Sequence, residues 1–174
     1  MSMMFGVIPI IWRAVRPSRT KDMVAVVNSF WLPKGYEGLT FFGKILTPNQ
    51  ELADQLNHPD NEGNMPFSAL KNHEMIHLRQ AQSCGDSWIR YYLLYIWYWV
   101  KGLCKSRKLR KIAKPTKLPG NIAYLLNPFE MEAYANMYKK DYLAQCEEGA
   151  RGWRKYAEMP IEERLQLYIR NHKL

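Results

Sequence analysis

The chain has 174 residues, 47% hydrophobic and 13% aromatic, with a formal net charge of +9. That length fits one domain, and the apolar content is enough for a core, which excludes a disordered chain. The positive balance favours acidic partners: anionic lipid, nucleic acid or an acidic protein surface.

The first nineteen residues, MSMMFGVIPIIWRAVRPSR, are apolar but lack a basic leader and a small-residue cleavage site, and Pro9 interrupts them. They do not read as a signal peptide. Residues 23–31 (MVAVVNSFW) read as a strand, 33–38 (PKGYEG) as a turn and 39–46 (LTFFGKIL) as a second strand, together a hairpin. The polar stretch 47–66 reads as loop, with one helical turn at 49–56.

A helix is expected over 68–84, stopped by Gly85. A second follows over 87–103, capped by Asp86 or Ser87. Residues 105–120, with Pro115 and Pro119, read as an extended, solvated basic connector. A third helix is predicted over 128–148, with Asn127 as N-cap and Pro128 at the first helical position. A C-terminal helix covers 160–172. Strands followed by helices make the class α+β in a single domain, a small N-terminal hairpin or sheet with a mainly helical remainder. The uninterrupted apolar run between Arg90 and Lys101 is ten residues, too short to span a bilayer. Cys84, Cys104 and Cys146 show no paired spacing and read as reduced thiols. The expected location is cytoplasmic or peripheral to a membrane.

The chemistry concentrates in His73-Glu74-Met75-Ile76-His77. On a helix, residues four apart share a face, so both imidazoles can meet one ion. Zinc takes imidazole nitrogens and, in catalytic sites, three protein ligands plus water. Glu74, one position round from His73, is placed to take the water's proton. The plainer reading makes both histidines ordinary residues. The third ligand is sought in NPFEMEAY (127–134), where Glu130 and Glu132 compete. The face of Glu130 carries Ala133, Tyr134, Met137 and Tyr138. That of Glu132 carries Ala135, Asn136, Lys139 and Lys140 and reads as solvated. A ligand must point inward, which selects Glu130. Its competing duty is a capping-box bond to the Asn127 backbone. Glu132 is left as a surface group or a support behind the ligands.

HEMIHLRQ, then WIRYYLLYIWYW, then FEMEAY, in that order, resemble the gluzincin branch of the zincin metallopeptidases. The ExEA form is similar to CAAX-type proteases and to small HExxHxxQ proteins with an aromatic helix and an FExEAY segment. The likeness covers about residues 38 to 145. It implies zinc on His73, His77 and Glu130, peptide-bond hydrolysis with Glu74 as base and then acid, and residues 39–46 as an edge strand over the site. A peptide or protein substrate would add to that edge. A tyrosine is expected as oxyanion donor, with Tyr134 the chosen residue and core packing its plainer role. The resemblance assigns no role to the basic insert. A zincin-like structural or interaction protein of a larger assembly, with little or no turnover, is the rival.

Seven of the twelve residues from Trp88 to Trp99 are Trp or Tyr, and seven of the thirteen in 105–117 are Lys or Arg. The aromatic helix reads first as core backing the HExxH helix. The basic stretch reads first as a solvated face, and beyond that as a contact for a membrane surface, nucleic acid or an acidic protein.

Overall fold

The computed structural model describes residues 16–28, 30, 37–58, 65–113, 118–139, 141–146 and 148–172. The apolar segment 1–15, most of the 33–38 turn and residues 114–117 of the basic stretch lie outside the described residues.

The architecture is α+β. Three strands, β1 (Val24–Val27), β2 (Leu39–Phe41) and β3 (Lys44–Thr47), form a sheet in the order β1-β3-β2. The expected second strand is therefore two strands. Phe42 (φ 45) and Gly43 (φ 82) both sit in the left-handed region, which closes a two-residue hairpin turn between β2 and β3. β1 pairs with β3 in parallel, so residues 23–31 are not the hairpin partner that the sequence predicted. The outer edge of β1 is occupied by Asn57. Its Nδ2 donates to the Ala25 carbonyl (2.9 Å) and its Oδ1 accepts from the Ala25 N–H (2.8 Å). β2 is left as the edge beside the site.

The helices are α1 (Gln50–Asn57), α2 (Met65–Ser83), α3 (Trp88–Ile112), α4 (Ile122–Leu125), α5 (Pro128–Asn136), α6 (Tyr142–Gln145), α7 (Trp153–Glu158) and α8 (Ile161–Asn171). α1 begins under Asn49, whose side chain accepts from the Leu52 N–H. α2 runs through the centre: Ile76, Leu78 and Ala81 are fully buried. The main core joins the sheet to α1, α2, α3 and α5 through Met23, Ile45, Leu56, Leu78, Trp88 and Phe129.

Two expectations about the second half are corrected. The helix expected over 128–148 stops at Asn136, and the chain turns into the short α6. The basic stretch is not an extended connector over 105–112, because α3 continues through it to Ile112. Leu109 is the reason. It is buried with Ala113, Ile122, Leu126, Ile161 and Leu165 in a second core, which ties the helix down against α4 and α8. Arg110 adds donation to the carbonyls of Leu118, Pro119 and Gly120, and Lys108 pairs with Glu162 at 3.1 Å.

Candidate metal centre

His73 and His77 lie one turn apart on α2, both buried at 4% exposure. Their Nε2 atoms are 3.1 Å apart. α5 starts under Asn127, whose side chain accepts from the Phe129 N–H, and delivers Glu130 to the same point. Glu130 Oε2 is 3.2 Å from His73 Nε2, and Oε1 is 3.4 Å from His77 Nε2. The Asn127 backbone N–H donates to the Tyr124 carbonyl, so Glu130 is not needed as a capping-box partner. His73, His77 and Glu130 thus form a buried group whose ligand atoms lie within 4.8 Å of one another and that could hold a metal ion.

The donor set fits a zinc-sized ion. Ligands of a tetrahedral zinc with bonds of about 2.0–2.1 Å stand roughly 3.3–3.4 Å apart, close to the spacings seen here. Glu130 Oε2 supplies the second indication. It is buried and near His73, yet receives no hydrogen bond of proper geometry. A carboxylate oxygen held dry and unpartnered is costly unless a cation or proton faces it. Its other oxygen is engaged, since the Tyr95 hydroxyl donates to Oε1 at 2.7 Å.

The ring orientation of His77 is set from behind. Gln80 Nε2 donates to the Phe129 carbonyl (2.9 Å) and to Glu132 Oε2 (2.8 Å), which makes Gln80 Oε1 an acceptor. That oxygen is 2.8 Å from His77 Nδ1. Nδ1 therefore carries the proton, and Nε2 is left to face Glu130 and His73. Glu132 is 0% exposed, against the solvated face read from its neighbours in sequence. Its Oε1 accepts from the Tyr142 hydroxyl and from the Gly152 N–H. The turn after Asn136 folds α6 and the start of α7 over a face that a longer helix would have exposed.

Electrostatics follow the geometry. Burial opposes a charged His77, but the adjacent Glu130 carboxylate together with Glu74 and Gln80 outweighs it and lifts the imidazole to about 9. Burial likewise opposes ionisation of Glu130, yet the His77 charge and the close approach of both imidazoles hold its carboxyl well below the usual range.

Glu74 is buried beside this group. Its Oε2 accepts from the Thr40 hydroxyl at 2.5 Å. Oε1 faces Gly38, where a Cβ would stand 3.0 Å from it, so a side chain there would crowd the carboxylate. A cleft of about 100 Å³ is walled by Gly38, Thr40, Glu74, His77, Tyr124 and Glu130, among others. The edge strand over the site is β2 alone, residues 39–41, and not 39–46, since β3 is the central strand.

Tyr134 is close by but off the cleft wall. Its ring packs on His73 with centroids 4.6 Å apart, it is half exposed, and its hydroxyl is 3.4 Å from that of Tyr124. Tyr124 lines the cleft, and burial followed by Glu130 pushes its phenol far above its ordinary value, which keeps it a donor. Sequence reasoning gave no role to Thr40, Tyr95 or Tyr124, nor to Gln80, although Gln80 closes the HExxHxxQ pattern. Only Gln80 had a legible signal: it stands three residues after His77 on the same helix. Among eleven tyrosines nothing in the chain marks Tyr95 or Tyr124.

Comparison with known proteins finds no family model, no curated protein and no solved structure that matches this chain.

Proposed function

We propose that this protein is a small zinc-dependent peptide-bond hydrolase of gluzincin type, with His73, His77 and Glu130 holding the metal. The observation that carries the reading is the buried Glu130 Oε2, which accepts no hydrogen bond and stands 3.2 Å from His73 Nε2, while Oε1 stands 3.4 Å from His77 Nε2. Zinc with three protein ligands keeps an open position, where it acidifies water and polarises a carbonyl.

The rest is the work of the chain. Glu74 takes a proton from the attacking water and returns it to the leaving amine. Thr40 holds the carboxylate by donating to Oε2, so the proton acceptor stays aimed into the cleft. Tyr124, a protonated phenol in the cleft wall, donates to the oxygen that gains charge, the role first read for Tyr134. A peptide laid along Gly38–Thr40 as an added strand brings its carbonyl to the cleft.

A second reading draws on how closed the site is. His73 and Glu74 are each 4% exposed, which suits a structural metal in an interaction protein with little turnover. Elemental analysis of protein purified without chelator, with cleavage of a fluorogenic peptide library by wild type and Glu74→Gln, separates them. The hydrolase reading expects one zinc per chain in both proteins and cleavage by wild type alone. Zinc without cleavage by wild type favours the structural reading, and protein without zinc overturns both.

A further inference from the structure

The inner face of α3 lines the cleft and the core, but its outer face is exposed. Ile89, Leu93, Ile96, Val100 and Leu103 recur at three- and four-residue steps, so they form one stripe along the helix. All five are exposed, Leu93 at 65%, and Trp97 beside them is 55% exposed. At 1.5 Å per residue the stripe is about 21 Å long. The same stepping continues to Arg107 and Lys111, which are exposed and lie on the same meridian one and two turns further on. No acidic residue occurs anywhere in Trp88–Ile112. Exposed Phe41 and Phe42 widen the apolar surface at the other end, where Phe42 packs on Tyr92.

We infer that this face of α3 docks on an anionic lipid surface, with the Ile89–Leu103 stripe in the acyl boundary and Arg107 and Lys111 on the phosphates. The occupant is chosen by the order of chemistry along the stripe. A second copy fits poorly: parallel helices set Arg107 and Lys111 against their equivalents, and antiparallel helices set them against Ile89 and Leu93. Nucleic acid would use Trp97 as a stacking platform, but along the rest of the stripe it would meet Ile, Leu and Val side chains that neither donate to phosphate nor stack on a base. An anionic bilayer boundary offers hydrocarbon and negative headgroups side by side, and Trp and cationic residues suit that boundary. No helix of the described residues is long and apolar enough to cross a membrane, so the contact is with the surface.

The test is co-sedimentation of the full chain with phosphatidylserine-containing vesicles and with pure phosphatidylcholine vesicles, at low and moderate salt. Wild type should bind the anionic vesicles and release them as salt rises. The pair Arg107→Ser and Lys111→Ser should weaken that binding by roughly thirtyfold, and Leu93→Glu should abolish it. Both variants change exposed side chains, so melting temperature and metal content should match wild type. Failure of wild type to bind, or equal binding to neutral vesicles, overturns the inference. So does a wild-type dimer in light scattering that Leu93→Glu dissociates, or retention of duplex DNA in place of vesicles. None of these outcomes depends on whether the metal centre is catalytic.

Discussion

Gln80 Oε1 stands 2.8 Å from His77 Nδ1, and the amide behind it is anchored on Glu132. One helical turn of α2 thus connects a candidate ligand to a carboxylate on α5 that faces away from the metal position. The two glutamates of FEMEAY divide the labour: Glu130 faces the candidate metal position, and Glu132 holds the frame that aims His77.

Glu130→Ala should abolish zinc binding while the protein stays folded. Glu132→Ala should show the opposite balance. It strips partners from Tyr142, Gly152 and Gln80, and the fully buried Gln80 amide alone costs about 1–3 kcal/mol when left unsatisfied, so its melting temperature should drop first. Gln80→Leu should weaken zinc by about 10–100-fold, the usual effect of losing a ligand's outer partner. Zinc titration and thermal melts on the three variants check this. Equal zinc loss in Glu130→Ala and Glu132→Ala would return Glu130 to a structural role.

Thr40→Val should keep zinc content and fold but lower kcat. The lost bond is to a buried carboxylate, worth about 1.5–3 kcal/mol, or roughly 10–100-fold. Glu74→Gln should go further and remove turnover, because the amide accepts no proton. Steady-state kinetics beside metal analysis measure both, and a Glu74→Gln protein with wild-type kcat refutes the proton-transfer role.

Metal binding should rise with pH. His77 is raised to about 9 by Glu130, so the metal-free site is protonated at neutral pH and must release that proton to bind zinc. Apparent zinc affinity is expected to climb from pH 6 to about 9 and then level. The metal-free protein runs the other way. A raised histidine contributes its full stability below about 6.5 and loses it as pH rises through about 9. Its melting temperature should therefore fall over that window, while the depressed Glu130 adds a loss only in acid. Calorimetry at several pH values, with and without zinc, tests the sign of each slope.

The helical basic stretch makes its own demand. Leu109→Ala should destabilise the protein by about 2–5 kcal/mol, because Leu109 is fully buried in the second core. Arg107→Ala, on the outer face, should stay within about 0.5 kcal/mol. If chemical denaturation shows the two alike, residues 105–112 are not packed as described.

Much of the fold class and site was legible. Periodicity and caps placed the helices around His73 and around Asn127, because an N-cap and a one-turn spacing are local facts of the chain. The shared face of the i, i+4 histidines likewise follows from helical geometry alone, whereas the same geometry could not separate Glu130 from Glu132, since both are buried. Strand partnership did not, since β1 pairs in parallel with β3 across an intervening hairpin, and side-chain period says nothing about which strand is neighbour. The basic stretch was misread for a related reason. Like charges favour extension only where nothing offsets them, and Leu109, one apolar residue among cations, gains enough by burial against α4 and α8 to keep the helix wound. Glu132 looked solvated because its helical neighbours are polar. Its burial was decided by α6 and Gly152 folding back over it, a contact between residues twenty positions apart. Sequence marked which residues are candidates for a metal site and which share a helix face. Only tertiary structure decided what stands behind them, because a hydrogen-bond partner or a covering element is chosen by packing, and packing is not local.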